Sequence, residues 1–173
     1  MSKYVLAIDQ GTSSTKAILF DQTFSLQSIA QQEFEQFFPY PGWVEHNPED
    51  LWNSVLATSR SVIKKSNVNS SNIVSIGITN QRETTIVWDK NTGKSIYPAV
   101  VWQDRRTSNT CELLKAENLE ELISKKTGLL LDPYFSATKI SWILDNVDGA
   151  RFNAESGNLL FGTVDTFLLW RLT

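Results

Sequence analysis

The sequence predicts a mixed α/β fold, a sheet flanked by helices, and three observations carry that expectation. Three strand-like stretches open the chain before residue 35. A strong helix start follows at Asn47, and beyond it strand patterns alternate with helical ones.

Residues 4–8 (YVLAI) are apolar on both faces and residues 17–20 (AILF) nearly so, which suits strands of a sheet covered on two sides. The polar run between them is short enough for a hairpin. Residues 25–34 make a third strand, with Leu26, Ile29 and Phe34 among polar neighbours. FFPYPGWVEHNP then reads as a loop carrying three of the five prolines, and the only histidine, His46, is placed there as a surface residue without chemistry. Asn47, Pro48, Glu49 and Asp50 supply a cap acceptor, a proline at the first helical position and acids in the first turn. Leu51, Val55, Leu56, Val62 and Ile63 recur at helical spacing, so this helix runs to Lys65 with one face on the sheet.

Residues 73–79 and 84–88 are strands separated by NQRE, KNTGK is a turn, and residues 98–103 (PAVVWQ) form another strand. Helices are predicted over 106–115, over 119–126 ending at Gly128, and over 135–146. Residues 159–161 make a last strand leading into VDTFLLWRLT. That apolar run stops at Thr173 without a closing Gly, Pro or polar tail, so the fold is expected to continue beyond it.

At 173 residues, 41% hydrophobic and 20% charged, the chain suffices for one domain with a real core. A net charge of −3, with no run of Lys or Arg longer than two, leaves no electrostatic footprint for nucleic acid or an anionic membrane. MSKYVLAIDQ holds too few apolar residues for a signal peptide, and no apolar run approaches a membrane span, so a cytoplasmic protein is the expectation. Cys111 stands alone in TSNTCELLKAEN and reads as a small core residue of a helix, with a reactive thiol as the alternative. There is no internal repeat and no low-complexity segment.

The chemistry concentrates in two places. In DQGTSSTK, Asp9 ends a buried strand, where a carboxylate is costly unless paired, and a divalent cation or a water held by one is a natural partner. Gly11 lets amides face a ligand, Thr12, Ser13, Ser14 and Thr15 add hydroxyls, and Lys16 adds a positive charge. Together they resemble a phosphate-binding hairpin, although neither of the two commonest phosphate-loop patterns is present. A polar turn capping its own backbone is the alternative. In GITNQRETTIVWD, Gln81, Arg82 and Glu83 interrupt two strands. Arginine only donates and ionised glutamate only accepts, so the adjacent pair can hold a hydroxyl-rich neutral molecule; a surface ion pair is the alternative. Trp102 and Tyr134 are aromatics at element edges, able to wall a carbon skeleton or simply to join the core.

Together DQGTSSTK, EFEQFFPYPGWVEHNPEDLW, GITNQRETTIVWDKNTGKSIYPAVVWQDRRT, TGLLLDPYFSATKISWIL and LLFGTVDTFLLWRLT are similar, in that order, to the glycerol kinases of the FGGY carbohydrate-kinase family, whose domains have the ribonuclease H-like fold of actin. The resemblance covers essentially the whole chain. NQRETT and PGWVEH are specific to the glycerol kinases, whereas DxGT marks the wider superfamily. It implies ATP-dependent, Mg²⁺-assisted phosphorylation of glycerol by a cytoplasmic enzyme that is a homo-oligomer in the whole protein. It implies that Arg82, Glu83 and Tyr134 bind glycerol with Trp102 lining the pocket, and that Gly11, Thr12, Ser13, Ser14 and Lys16 contact the nucleotide phosphates. Asp9 would serve the metal and phosphates, directly or through water. The family's commonest wording here is GTTSSR, so Ser13, Thr15 and Lys16 depart from it, and Lys16 keeps the charge but loses a planar fork. The resemblance further implies that this chain is the N-terminal part of the first kinase domain. The second domain and the base for the attacking hydroxyl would then lie outside it, and the isolated chain would not turn over. A sister kinase acting on a pentulose or gluconate is the nearest alternative, and a non-catalytic binding module the other.

Overall fold

A computed structural model describes residues 3–173. Among these, eight strands and six helices follow in order: β1 (Tyr4–Gln10), β2 (Ser14–Asp21), β3 (Leu26–Glu33), β4 (Glu45–His46), α1 (Pro48–Ser66), β5 (Ile73–Thr79), β6 (Thr85–Asp89), β7 (Ala99–Val100), α2 (Ser108–Ala116), α3 (Glu120–Thr127), α4 (Ser136–Asn146), α5 (Ala150–Glu155), β8 (Leu159–Thr163) and α6 (Val164–Leu172). They fall into two compact units. The first takes the described residues up to Gln36 with Asn47–Gln81, and the second takes Phe37–His46 with Arg82–Thr173. Each has its own sheet, the first with α1 and the second with α2 to α6.

In the first unit the order is β3-β2-β1-β5, with β1 antiparallel to β2, β2 antiparallel to β3, and β1 parallel to β5. Strand pleating sends alternate side chains to opposite faces. Leu6, Ile8 and Gln10 of β1, Thr15, Ala17 and Leu19 of β2, and Ser28 and Ala30 of β3 are buried. Helix α1 covers this face with Leu51, Val55, Thr58 and Val62. The opposite faces of β1 and β2 are half-buried or exposed, so the expected two-sided burial holds for one side only. Helix α1 begins as its sequence dictates: the Asn47 side chain accepts from the Glu49 N–H at 3.1 Å, Pro48 opens the first turn, and Asn67 closes the helix in the left-handed region at φ 54°.

The second unit is built on the antiparallel sheet β4-β7-β6-β8. β7 and β6 are its inner strands, and Ile86, Val87 and Trp88 of β6 are buried. Val87 packs with Val100 and Ile143, and the Trp88 ring meets Phe167 of α6 edge-on at 5.3 Å. The KNTGK turn forms as expected: Asp89 accepts from the Asn91 and Thr92 amides, bonds that hold its carboxyl below the usual range, and Gly93 takes φ +70°. His46 is a correction. It lies on β4, paired with Ala99, and none of its surface is exposed. A two-residue strand among prolines leaves no alternation to read. Strand β7 is likewise two residues long, because Trp102 and Gln103 already turn away. Helices α5 and α6 are additions to the expected elements. Cys111 is buried in α2, and burial raises its thiol pKa, as suits a core residue.

Gly162 of β8 approaches the first turn of α6 so closely that an added Cβ would stand 2.6 Å from Thr166 Cβ. Gly162→Ala is therefore expected to cost about 1–3 kcal/mol, read as a lowered urea midpoint.

Candidate functional site

The hairpin from β1 to β2 puts the first group of candidate residues on the first unit. Asp9 sits across from Lys16 on β2 and Thr79 on β5, so the three share a sheet face, the one away from α1. Asp9 is exposed, which corrects the premise of a buried carboxylate in need of a partner. The Gly11 amide is committed to the turn, donating to Ser14 O at 3.0 Å, so it does not face a ligand. Glycine is favoured there on another ground: a Cβ would meet Ser14 O at 3.2 Å, a tight contact with backbone. Ser13 is exposed at the tip, Thr12 and Lys16 are half-buried, and Ser14 Oγ accepts from Gln31 Nε2 at 3.0 Å.

Two buried ties brace this hairpin. Thr15 Oγ1 and Ser54 Oγ of α1 lie 2.7 Å apart. Gln81 Nε2 donates to Gly11 O at 2.8 Å and to Gln10 Oε1 at 3.1 Å. Among the described residues no group of three or more His, Cys, Asp or Glu could hold a metal. A single exposed carboxylate suits Mg²⁺, which keeps several waters and takes its remaining oxygens from phosphates.

Glu83, Trp102 and Tyr134 come together on the second unit, with Arg82 exposed beside Glu83. Glu83 Oε2 accepts from the Ser136 Oγ–H at 2.8 Å and the Ser136 N–H at 3.1 Å, which makes it the cap of α4 from 53 residues away. A carboxylate at a helix N-terminus also meets the favourable end of the helix dipole. With Oε2 held, Oε1 is oriented and able to accept from a further hydroxyl. Buried Thr84 accepts the Trp102 amide at 3.2 Å, setting that residue next to Glu83. The Trp102 and Tyr134 rings meet edge-to-face at 5.9 Å, both half-buried, and the Phe135 ring also meets Tyr134 edge-on, at 5.1 Å. The Tyr134 amide donates to Asp132 Oδ1 at 2.8 Å.

The loop bearing Trp102 is anchored by a charged cluster that the sequence pattern does not announce. The Arg106 side chain is fully buried, 3.8 Å over the Trp43 ring and 4.6 Å from that of Trp142. It donates to Asp104 from Nε at 2.9 Å and from Nη2 at 2.8 Å, to Glu45 at 2.8 Å and to the Tyr97 hydroxyl at 3.2 Å. Asp104 also accepts the Val44 amide at 2.6 Å. Burial works against the Arg106 charge, but the bonds to Asp104 and Glu45 outweigh it and raise the pKa. RRT offers no signal of which arginine goes inside.

The chemistry follows from the inventory: an oriented acceptor in Glu83, an exposed five-donor guanidinium in Arg82, and an aromatic corner for carbon–hydrogen surface. This matches a small neutral polyol better than an anion, which Glu83 would repel. Apart from that group, the hairpin offers hydroxyls, a lysine and one carboxylate.

Known proteins bear on both. A model of the N-terminal domain of the FGGY family of carbohydrate kinases matches residues 4–173. The chain is 64% identical over its whole length to a glycerol kinase of Marinomonas sp. (strain MWYL1) and 61% identical over 98% of it to one of Rhodopseudomonas palustris (strain BisA53). It spans 35% and 34% of the lengths of those relatives. A crystal structure of Plasmodium falciparum glycerol kinase with ADP superposes with a TM-score of 0.92 at 35% identity, covering 99% of this chain and 34% of that one. A gluconate kinase from Lactobacillus acidophilus superposes at 0.85 with 18% identity, over 99% of this chain and 33% of that one, a likeness of fold. The two sheets with their helices thus have the ribonuclease H-like, actin-like ATPase fold of these kinases. With its model matched from Tyr4 to the last residue, the chain belongs to the FGGY family of carbohydrate kinases.

Proposed function

We propose that the whole protein is a glycerol kinase, transferring the γ-phosphoryl group of ATP to a terminal hydroxyl of glycerol to give sn-glycerol 3-phosphate. The observation that carries this reading is the Glu83 carboxylate, fixed by Ser136 beside Arg82 and the Trp102–Tyr134 corner. The 64% and 61% identical relatives named glycerol kinase support it. Glu83 and Arg82 bind the glycerol hydroxyls through complementary bonds, and Trp102 and Tyr134 wall the carbon chain. Thr12, Ser13, Ser14 and Lys16 contact the nucleotide phosphates, Gly11 shapes their turn, and Asp9 holds Mg²⁺ directly or through water. ATP with Mg²⁺ supplies the transferred group and neutralises charge on it. The protein's own contribution is position: phosphoryl transfer needs little covalent help, and a hydroxyl held in one orientation removes much of the entropic barrier. We take the enzyme to be a cytoplasmic homo-oligomer; among the described residues no helix is long and apolar enough to cross a membrane.

The test is a panel of glycerol, a pentulose and gluconate offered to the whole protein with ATP and Mg²⁺. The highest kcat/KM is expected for glycerol, and a preference for either sugar compound would replace this reading with that of a sister kinase. The 173 residues alone are expected to show no glycerol-dependent ATP consumption in the same assay.

A further inference from the structure

Lys139, the fourth residue of α4, has none of its surface exposed. Burying an ammonium is costly unless its donors are all used. Here they are: Nζ donates to three successive carbonyls, Pro133 at 2.7 Å, Phe135 at 3.2 Å and Tyr134 between them. Burial draws its pKa down to about 8, against the pull of Glu83, Asp104, Asp132 and Cys111 around it. An unbranched apolar side chain would occupy the same space without that desolvation. What only the ammonium does is gather the three carbonyls, and they belong to the segment that carries Tyr134 and leads into Ser136. Those two residues meet Trp102 and Glu83.

We propose that Lys139 is a positioning residue of the polyol pocket, clamping the backbone of residues 133–135 so that the Tyr134 ring and the Ser136 donors are set against Trp102 and Glu83. The proposal rests on the reading of these residues as a glycerol site. Without the ammonium, three carbonyls lose a shared donor and the segment turns to find others. The Tyr134 amide bond to Asp132 remains, but it restrains only the start of the segment. Ser136 then no longer presents both donors to Glu83 at one angle, and the acceptor offered to glycerol loses its orientation. The clamp touches residues 133–135 alone, so its loss is felt by glycerol and not by ATP.

Steady-state kinetics of the whole protein with Lys139→Met and Lys139→Gln test this, the glutamine keeping a neutral donor toward the carbonyls and with it the fold. Lys139→Met is expected to raise the glycerol KM about tenfold, with Lys139→Gln between it and wild type and the ATP KM within about twofold throughout. A lowered melting temperature with the glycerol KM unchanged in both variants would make Lys139 structural only and overturn the proposal. Should Lys139→Met not fold, Lys139→Gln decides alone: a raised glycerol KM supports the clamp, and an unchanged one overturns it. Wild-type protein that neither binds nor phosphorylates glycerol would overturn the glycerol reading and this proposal together.

Discussion

In the whole protein, Glu83→Ala is expected to raise the glycerol KM about 100-fold, the loss of one charge-assisted hydrogen bond of the 1.5–3 kcal/mol kind. The ATP KM should stay within about twofold, since uniform loss of glycerol binding leaves the other substrate untouched. Two consequences of the substitution have to be separated. It removes an acceptor from the pocket, and it uncaps α4 by taking the partner of the Ser136 amide and hydroxyl. Ser136→Ala removes only the hydroxyl tie and leaves Glu83 charged, so its glycerol KM should rise far less. Equal effects from both would mean that Glu83 acts through the helix and not on the ligand. An unchanged KM in Glu83→Ala would remove Glu83 from the site.

The second large effect is on stability. Arg106→Met is expected to destabilise the fold by about 3–5 kcal/mol, because removing one member of a buried ionic cluster strands the others. Asp104, 1% exposed, would lose its bonds from Nε and Nη2, and Glu45, 7% exposed, would keep only the Tyr97 hydroxyl. The methionine stem can still pack between Trp43 and Trp142, so the loss reports charge pairing more than volume. Urea unfolding should show a lower midpoint at an unchanged slope. A midpoint equal to wild type would show that the cluster contributes nothing net, the desolvation of three charges having cancelled their attraction.

Local signals are legible where local physics decides. The Asn47 cap with Pro48 and two acids specifies α1 to within a residue at either end, because capping bonds and helical spacing both lie inside the segment. The hairpin at DQGTSSTK is readable for the same reason. What escapes depends on partners far along the chain. His46 is buried because β7 pairs with it, and two residues of strand carry no periodicity to announce that. NQRE reads as one loop, yet Gln81 belongs to the first unit and Arg82 and Glu83 to the second. Glu83 is recognisable as an acceptor beside a donor, but its cap on Ser136 is not, nor is Lys139 distinguishable from any lysine on an amphipathic helix. Gly11 matters for its lack of a side chain and not for a free amide, since its hydrogen bond to Ser14 is set by turn geometry.

On the function proposed above the polyol site lies within residues 82–136, and isothermal titration of the 173-residue chain with glycerol, with Arg82→Ala as control, puts that to the test. Saturable binding that Arg82→Ala abolishes is the expected result. Binding that survives Arg82→Ala unchanged, or a wild-type chain that takes up no glycerol, would contradict it.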